Sequence, residues 1–146
     1  MYGIFSNVNF AALIIAGLAH IGVGYAWYSD KLFGNAWRSL NGTKGGKLSK
    51  DDCKIAWLSQ VFVTFVITLM IANVYMENAM NFGMTMWYIC MAWFLFSFEA
   101  FHGVIWEKKP ISALLIEKLG LLARLFAAAL AYSYVIALLT STGVMV

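Results

Sequence analysis

Apolar residues in this chain do not recur at a short helical or strand period; they run on, in four blocks separated by short polar breaks. The blocks cover about 8–28, 55–75, 83–106 and 111–139. Each reaches the roughly 20 residues that a helix needs to cross a hydrocarbon core of about 30 Å. The second block is rich in Val, Ile, Phe and Thr, a composition that suits strands in water. In lipid its length decides otherwise, because a helix satisfies its own backbone and an isolated strand does not. The pattern therefore predicts an all-α chain: one integral membrane four-helix bundle over residues 1–146, with no room for a separate soluble domain.

Local signals refine this picture. Ser6, Asn7 and Asn9 are available to cap the first helix. No Lys or Arg precedes that block, and it is longer than a typical signal core, so a retained span is expected rather than a cleaved leader. Gly17, Gly22 and Gly24 in the first span, and Ala127, Ala128, Ala129 and Ala131 in the fourth, are small enough for close helix approach. The 29–54 loop opens with Leu32, Phe33, Ala36, Trp37 and Leu40 at near-helical spacing. A short interfacial helix is expected there. Ser49 followed by Asp52 resembles a capping box for the second span.

Composition agrees: 62% of the 146 residues are hydrophobic and only 12% charged, with mean hydropathy +0.77, against about a quarter charged in soluble domains. The net charge of +3 is a topology signal, not a nucleic-acid footprint. All ten Lys and Arg residues lie in the first loop, the third loop or the start of the fourth span. The positive-inside rule then places loop 29–54 in the cytoplasm and both termini outside it. Trp27, Tyr28, Trp37, Trp57 and Trp106 are expected in the inner aromatic belt, and Tyr75, Trp87 and Tyr88 in the outer one. Cys53 and Cys90 have neither redox nor zinc spacing and are read as packing residues.

At the end of the first span the sequence reads W-Y-S-D-K-L-F-G-N-A-W, residues Trp27 to Trp37, after a span that begins V-N-F-A-A-L. This resembles a family of small bacterial and archaeal membrane proteins, domain of unknown function 1761, whose pattern here is W-Y-S-P-x-x-F-G-x-x-W. Trp27, Tyr28, Ser29, Phe33, Gly34 and Trp37 match, while Asp30 stands where the family has proline. The resemblance implies four spans and a prokaryotic plasma membrane. It implies no activity.

The spans also carry titratable groups. At about 1.5 Å per helical residue, His20 lies roughly 12 Å from the cytoplasmic end of its span, Glu99 about 10 Å, His102 about 6 Å and Glu117 about 9 Å. Glu99 and His102 are one turn apart, and Glu117 shares a face with Arg124. An inward-facing cluster of His20, Glu99, His102, Glu117 and Arg124 is expected, either as helix-fixing polar contacts or as a proton or ion path. Glu99-x-x-His102 also matches half of a di-iron motif, but too few carboxylates remain to complete one. Met76, Met80 and Met84 would align if the second turn were helical, and thioethers suit Cu(I). No Ser-His-Asp set, phosphate loop or zinc-protease motif is present. The expected function is therefore non-catalytic and cofactor-free: a structural or accessory subunit, in a homo-oligomer or with other membrane subunits, with the bilayer as its medium and no nucleic acid. Proton or ion transport and copper handling are the alternatives.

The charge asymmetry makes a direct prediction. Single cysteines placed between Lys44 and Lys50 should resist impermeant thiol reagents in intact cells, while one replacing Glu77 should label. The reverse labelling would invert the orientation.

Overall fold

The computed structural model describes residues 8–41 and 50–143, without the side chains of residues 50–53. Six helices form among them. Asn9 caps the first by accepting a hydrogen bond from the Ala12 amide at 3.0 Å, and α1 runs Phe10–Trp27. A tight turn leads to the short α2, Gly34–Leu40. The expected interfacial helix over 30–40 is thus helical only in its second part. The long α3, Lys50–Glu77, ends where Ala79 and Met80 take left-handed backbone (φ 51° and 60°) and the Met80 amide reaches back to the Tyr75 carbonyl at 2.9 Å. Asn81 then caps α4, Phe82–Glu99, by accepting from the Met84 amide at 3.1 Å.

The third apolar block is not one unbroken helix. It divides at Ala100, after which α5 covers Phe101–Trp106. The Gly103 amide bonds the Ala100 carbonyl at 3.1 Å, three residues back, so the chain tightens by a fraction of a turn there. Pro110, with extended backbone, opens α6, Ile111–Ser141. Four stretches are long and apolar enough to cross a membrane: Phe10–Trp27, Lys54–Glu77, Phe82–Trp106 and Ile111–Ser141. The chain is a helical membrane bundle. The candidate caps Ser6 and Asn7, the capping box of Ser49 and Asp52 and the Cys53 side chain lie outside what is described.

α1 and α6 form the closest pairing, and their contact is built from small residues. Ala12 and Ala16 of α1 and Ala128 and Ala129 of α6 are essentially inaccessible. They let the two backbones approach without bulky knobs, so dispersion and not water exclusion holds them together. Ile71, Ala72 and Tyr75 of α3, Ile89 of α4, and Tyr132 and Ile136 of α6 complete this core. Tyr75 and Tyr132 meet edge to face at 5.8 Å. Tyr75 therefore belongs to the interior, not to the expected outer belt, because the ring faces α6 and not lipid. Trp87 and Tyr88 are exposed, as belt residues should be.

The core occupies the half of the bundle remote from the basic residues. α4 is its outlier: only Thr85 and Ile89 are buried, while Trp87, Phe94, Leu95, Phe96 and Phe98 point outward. In water such a face would be anomalous. Against acyl chains it costs nothing.

The packing yields a paired expectation. Ala16→Leu inserts bulk into the α1–α6 contact and should cost about 1–3 kcal/mol. Leu18→Ala, at a position 65% exposed, should leave the thermal unfolding midpoint in detergent nearly unchanged. Equal effects would refute this assignment of faces.

Candidate functional site

The turn after α1 explains each residue of the W-Y-S…F-G…W pattern. The Ser29 hydroxyl donates to the Ala26 carbonyl at 2.7 Å, closing the helix end. The Ser29 carbonyl accepts from the amides of Leu32 (3.1 Å) and Gly34 (3.0 Å), and the Phe33 amide donates to the Trp27 carbonyl at 3.1 Å. Gly34 is obligatory here, since a Cβ would fall 2.2 Å from the Tyr28 carbonyl oxygen. Phe33 stacks on Trp27 with centroids 4.5 Å apart, and Tyr28 meets Trp37 edge-on at 5.7 Å. Asp30, standing where the family pattern has proline, pairs with Arg38 of α2. Its carbonyl accepts from Asn35 Nδ2 at 3.1 Å. A side-chain clasp takes the position at which a ring would have fixed the backbone.

This elbow is fastened to α6 by indole nitrogens. Trp27 Nε1 donates to the Ile116 carbonyl at 3.0 Å, and Trp37 Nε1 donates to Glu117 Oε1 at 3.0 Å. From the other side, Trp93 Nε1 of α4 donates to the Lys118 carbonyl at 2.7 Å. Three N–H groups from α1, α2 and α4 thus converge on three consecutive residues. A helical carbonyl has a second lone pair free to accept such a bond. Gly120 makes the approach feasible: a Cβ there would lie 2.7 Å from the Trp27 ring.

Above this collar sits His20, fully buried, with Nδ1 3.1 Å from Thr64 Oγ1 of α3. Gln60 Nε2 donates to the same hydroxyl oxygen at 3.2 Å. His20 Nε2 has no hydrogen-bond partner, and neither does the buried Ser97 hydroxyl. Arg124 donates through Nε to the Gly120 carbonyl at 3.4 Å.

The five titratable residues expected to converge do not form one cluster. His20 is interior with the Arg124 guanidinium within electrostatic reach, and Glu117, held by Trp37, acts on the same Tyr28 ring as Arg124, so these three share one neighbourhood. Glu99 and His102 are exposed on the outer surface of α4 and α5. Equal depth in sequence carries no information about azimuth, and the break at Ala100 together with the peripheral position of α4 turns this pair outward. Among the described residues no group of three or more His, Cys, Asp or Glu side chains could hold a metal, the Glu99-x-x-His102 half-motif included. The methionines share no face either. Met76 packs on the core, whereas Met80 sits in the left-handed turn and Met84 beyond it, both exposed.

Trp93, Gly120, Thr64 and Gln60 were not legible as partners. Each is an ordinary residue of an apolar span, and only the three-dimensional register gives it a role.

Gly120→Val should drive the Trp27 ring off Ile116 and lower stability by about 1–3 kcal/mol, whereas Trp27→Phe, which keeps the ring but removes one hydrogen bond, should cost about 0.5–1.5 kcal/mol. Thermal unfolding in detergent reads both. The seating of Trp27 is misassigned if Gly120→Val unfolds with the wild type.

No curated protein and no solved structure matches the chain. One family model does, over residues 11–133, a stretch that contains the elbow, the collar and all four spans apart from their outermost residues. By that match, and with the matching pattern from Trp27 to Trp37 accounted for in three dimensions, the chain belongs to the family described as protein of unknown function, DUF1761.

Proposed function

We propose that the protein is a non-catalytic, multi-pass subunit of a larger membrane assembly, acting as a structural or accessory component alongside further copies of itself or other membrane subunits. The observation that carries this reading is the placement of Glu99 and His102. Both are exposed, Glu99 at the end of α4, which buries only Thr85 and Ile89, and His102 on α5, which buries none of its residues. Acyl chains offer a carboxylate and an imidazole no hydrogen bonds, so polar groups on such a face call for a protein partner or for headgroups. The inner polar groups are largely spent on fastening: Trp27, Trp37 and Trp93 on α6, and His20 on Thr64. The proposed setting is the plasma membrane of a prokaryote, with the basic end of the bundle in the cytoplasm and both termini outside.

Proton or ion transport is the second reading. It draws on one observation, the buried His20 ring whose Nε2 lacks a partner. A relay needs successive groups within hydrogen-bond reach, and among the described residues no hydrogen bond leads from His20 to Glu99 or His102. Copper handling is not carried forward, because Met76, Met80 and Met84 are not brought together.

Purification from native membranes in mild detergent tests the proposal. Wild type should run as an assembly, and Glu99→Gln with His102→Gln should weaken that assembly about tenfold while monomer yield holds, in line with the loss of one or two charged hydrogen bonds. Proton flux in liposomes should match protein-free controls. A pH-dependent flux that vanishes in Glu99→Gln would overturn the subunit reading in favour of transport.

A further inference from the structure

Toward the basic end of the bundle the packing between α1, α3 and α6 opens into a cleft of about 260 Å³. Ile21, Gly24, Tyr28, Trp57, Gln60 and Arg124 line it. Arg124 lies across the first helix at Gly24, where a Cβ would stand 2.8 Å from its Cδ and 3.6 Å from Nη1. The missing side chain of Gly24 is thus the groove that admits the arginine stem. Side chains on a helix lean toward its N-terminus, and the bond from Nε to the Gly120 carbonyl, four residues back, shows Arg124 doing so. Its guanidinium is carried toward the level of Glu117 and the collar.

What the guanidinium lacks is an ion-pair partner among the described residues. The two ion pairs among the described residues are Arg38 with Asp30 and Lys109 with Glu107. Neither involves Arg124. Glu117, seven residues back on the same face, accepts from Trp37 and reaches the same Tyr28 ring as Arg124, but it does not close to an ion pair with the guanidinium. An arginine within a membrane-spanning helix is costly without an anion or water, and its planar fork matches the oxygens of a phosphate better than any other common anion except a carboxylate. Two further hydrogen-bonding side chains, Tyr28 and Gln60, share the cleft. At its mouth Tyr25 and Trp57 are exposed, 79% and 59%, and such rings favour headgroup level.

We infer that this cleft binds a phosphate group, gripped by the Arg124 guanidinium with Tyr28 and Gln60 as supplementary hydrogen-bond partners. The phosphate can arrive as the headgroup of a phospholipid entering between α1 and α3 or as free phosphate from the aqueous side. This inference is independent of the subunit reading, since neither Glu99 nor His102 touches the cleft.

The test uses the full-length protein, stripped of lipid in mild detergent, and follows its thermal unfolding midpoint. The probes are dioleoylphosphatidylglycerol, dioleoylglycerol, which has the same chains without phosphate, and sodium phosphate against chloride at equal ionic strength. A saturable rise is expected with a phosphate-bearing probe and not with dioleoylglycerol. A rise with the phospholipid alone identifies a headgroup site, and one with sodium phosphate alone identifies a soluble anion. Arg124→Gln should weaken apparent affinity about tenfold or more, and Arg124→Lys, which keeps charge but loses the fork, by less. If Arg124→Gln does not fold, Gly24→Ala, which displaces the arginine stem, and Gln60→Leu carry the same expectation. Lys108→Gln, outside the cleft, should bind as wild type. The inference fails if no phosphate-bearing probe shifts the wild type, if dioleoylglycerol works as well as the phospholipid, or if the folded cleft variants bind unchanged.

Discussion

Three helices of the bundle, α1, α2 and α4, are indexed to one turn of α6. Lipid provides no hydrophobic force to distinguish one rotation of a helix from another, so register must come from groups that lipid cannot satisfy. Three indole N–H groups, from Trp27, Trp37 and Trp93, meet Ile116, Glu117 and Lys118. Shifting α6 by a single residue would rotate these acceptors by about 100° and strand all three donors. The two carbonyl acceptors cannot be removed by any side-chain change, while Glu117 supplies the one charged bond, of a kind worth about twice a neutral one. Gly120 and Gly34 are consequences of the same constraint: one clears space for the indole, the other lets the chain fold back quickly enough to bring Trp37 to Glu117.

Around that turn the bundle divides chemically. Toward the far end, small and apolar residues close the α1–α6 contact and exclude almost everything. In the middle, Gln60, Thr64 and His20 form a short polar line. Thr68 and Thr85, also buried, spend their hydroxyls on their own helices, donating to the Thr64 and Asn81 carbonyls at 2.9 Å. A threonine that returns its proton to the backbone behaves as an apolar residue toward its neighbours. Thr64 does not, since its oxygen faces both Gln60 and His20, and this makes the interior polar at that one level.

The span boundaries were readable from sequence because they depend on length and on charge, both one-dimensional quantities. Asn9 as a cap, Pro110 as a stop and the four apolar blocks appear where the pattern places them. The W-Y-S…F-G…W elbow was readable as a unit, since its bonds are almost all local. What failed was azimuth. Depth alone groups His20, Glu99, His102 and Glu117, yet the rotation of each helix is set by long-range bonds such as Trp93 to Lys118, whose partners are 25 residues apart. In a soluble protein amphipathic periodicity would have supplied that angle. α4 is apolar on nearly every side, so its sequence contains no pointer to the one narrow strip, Thr85 and Ile89, that turns inward.

The helices also differ in length, and a bilayer responds to length. α6 has 31 residues and α1 only 18, about 46 Å against about 27 Å at 1.5 Å per residue. A hydrocarbon core of about 30 Å is slightly too thick for α1 and much too thin for α6. Because the two are locked side by side, tilt that shortens the projection of α6 also shortens that of α1. Lipid beside α1 is therefore drawn thinner while α6 projects beyond the apolar slab, so the protein deforms its surroundings unequally around its circumference. Its preferred place in a membrane is set by thickness as well as by chemistry, with the thin side of one molecule relieved wherever it meets another region of equally thin bilayer.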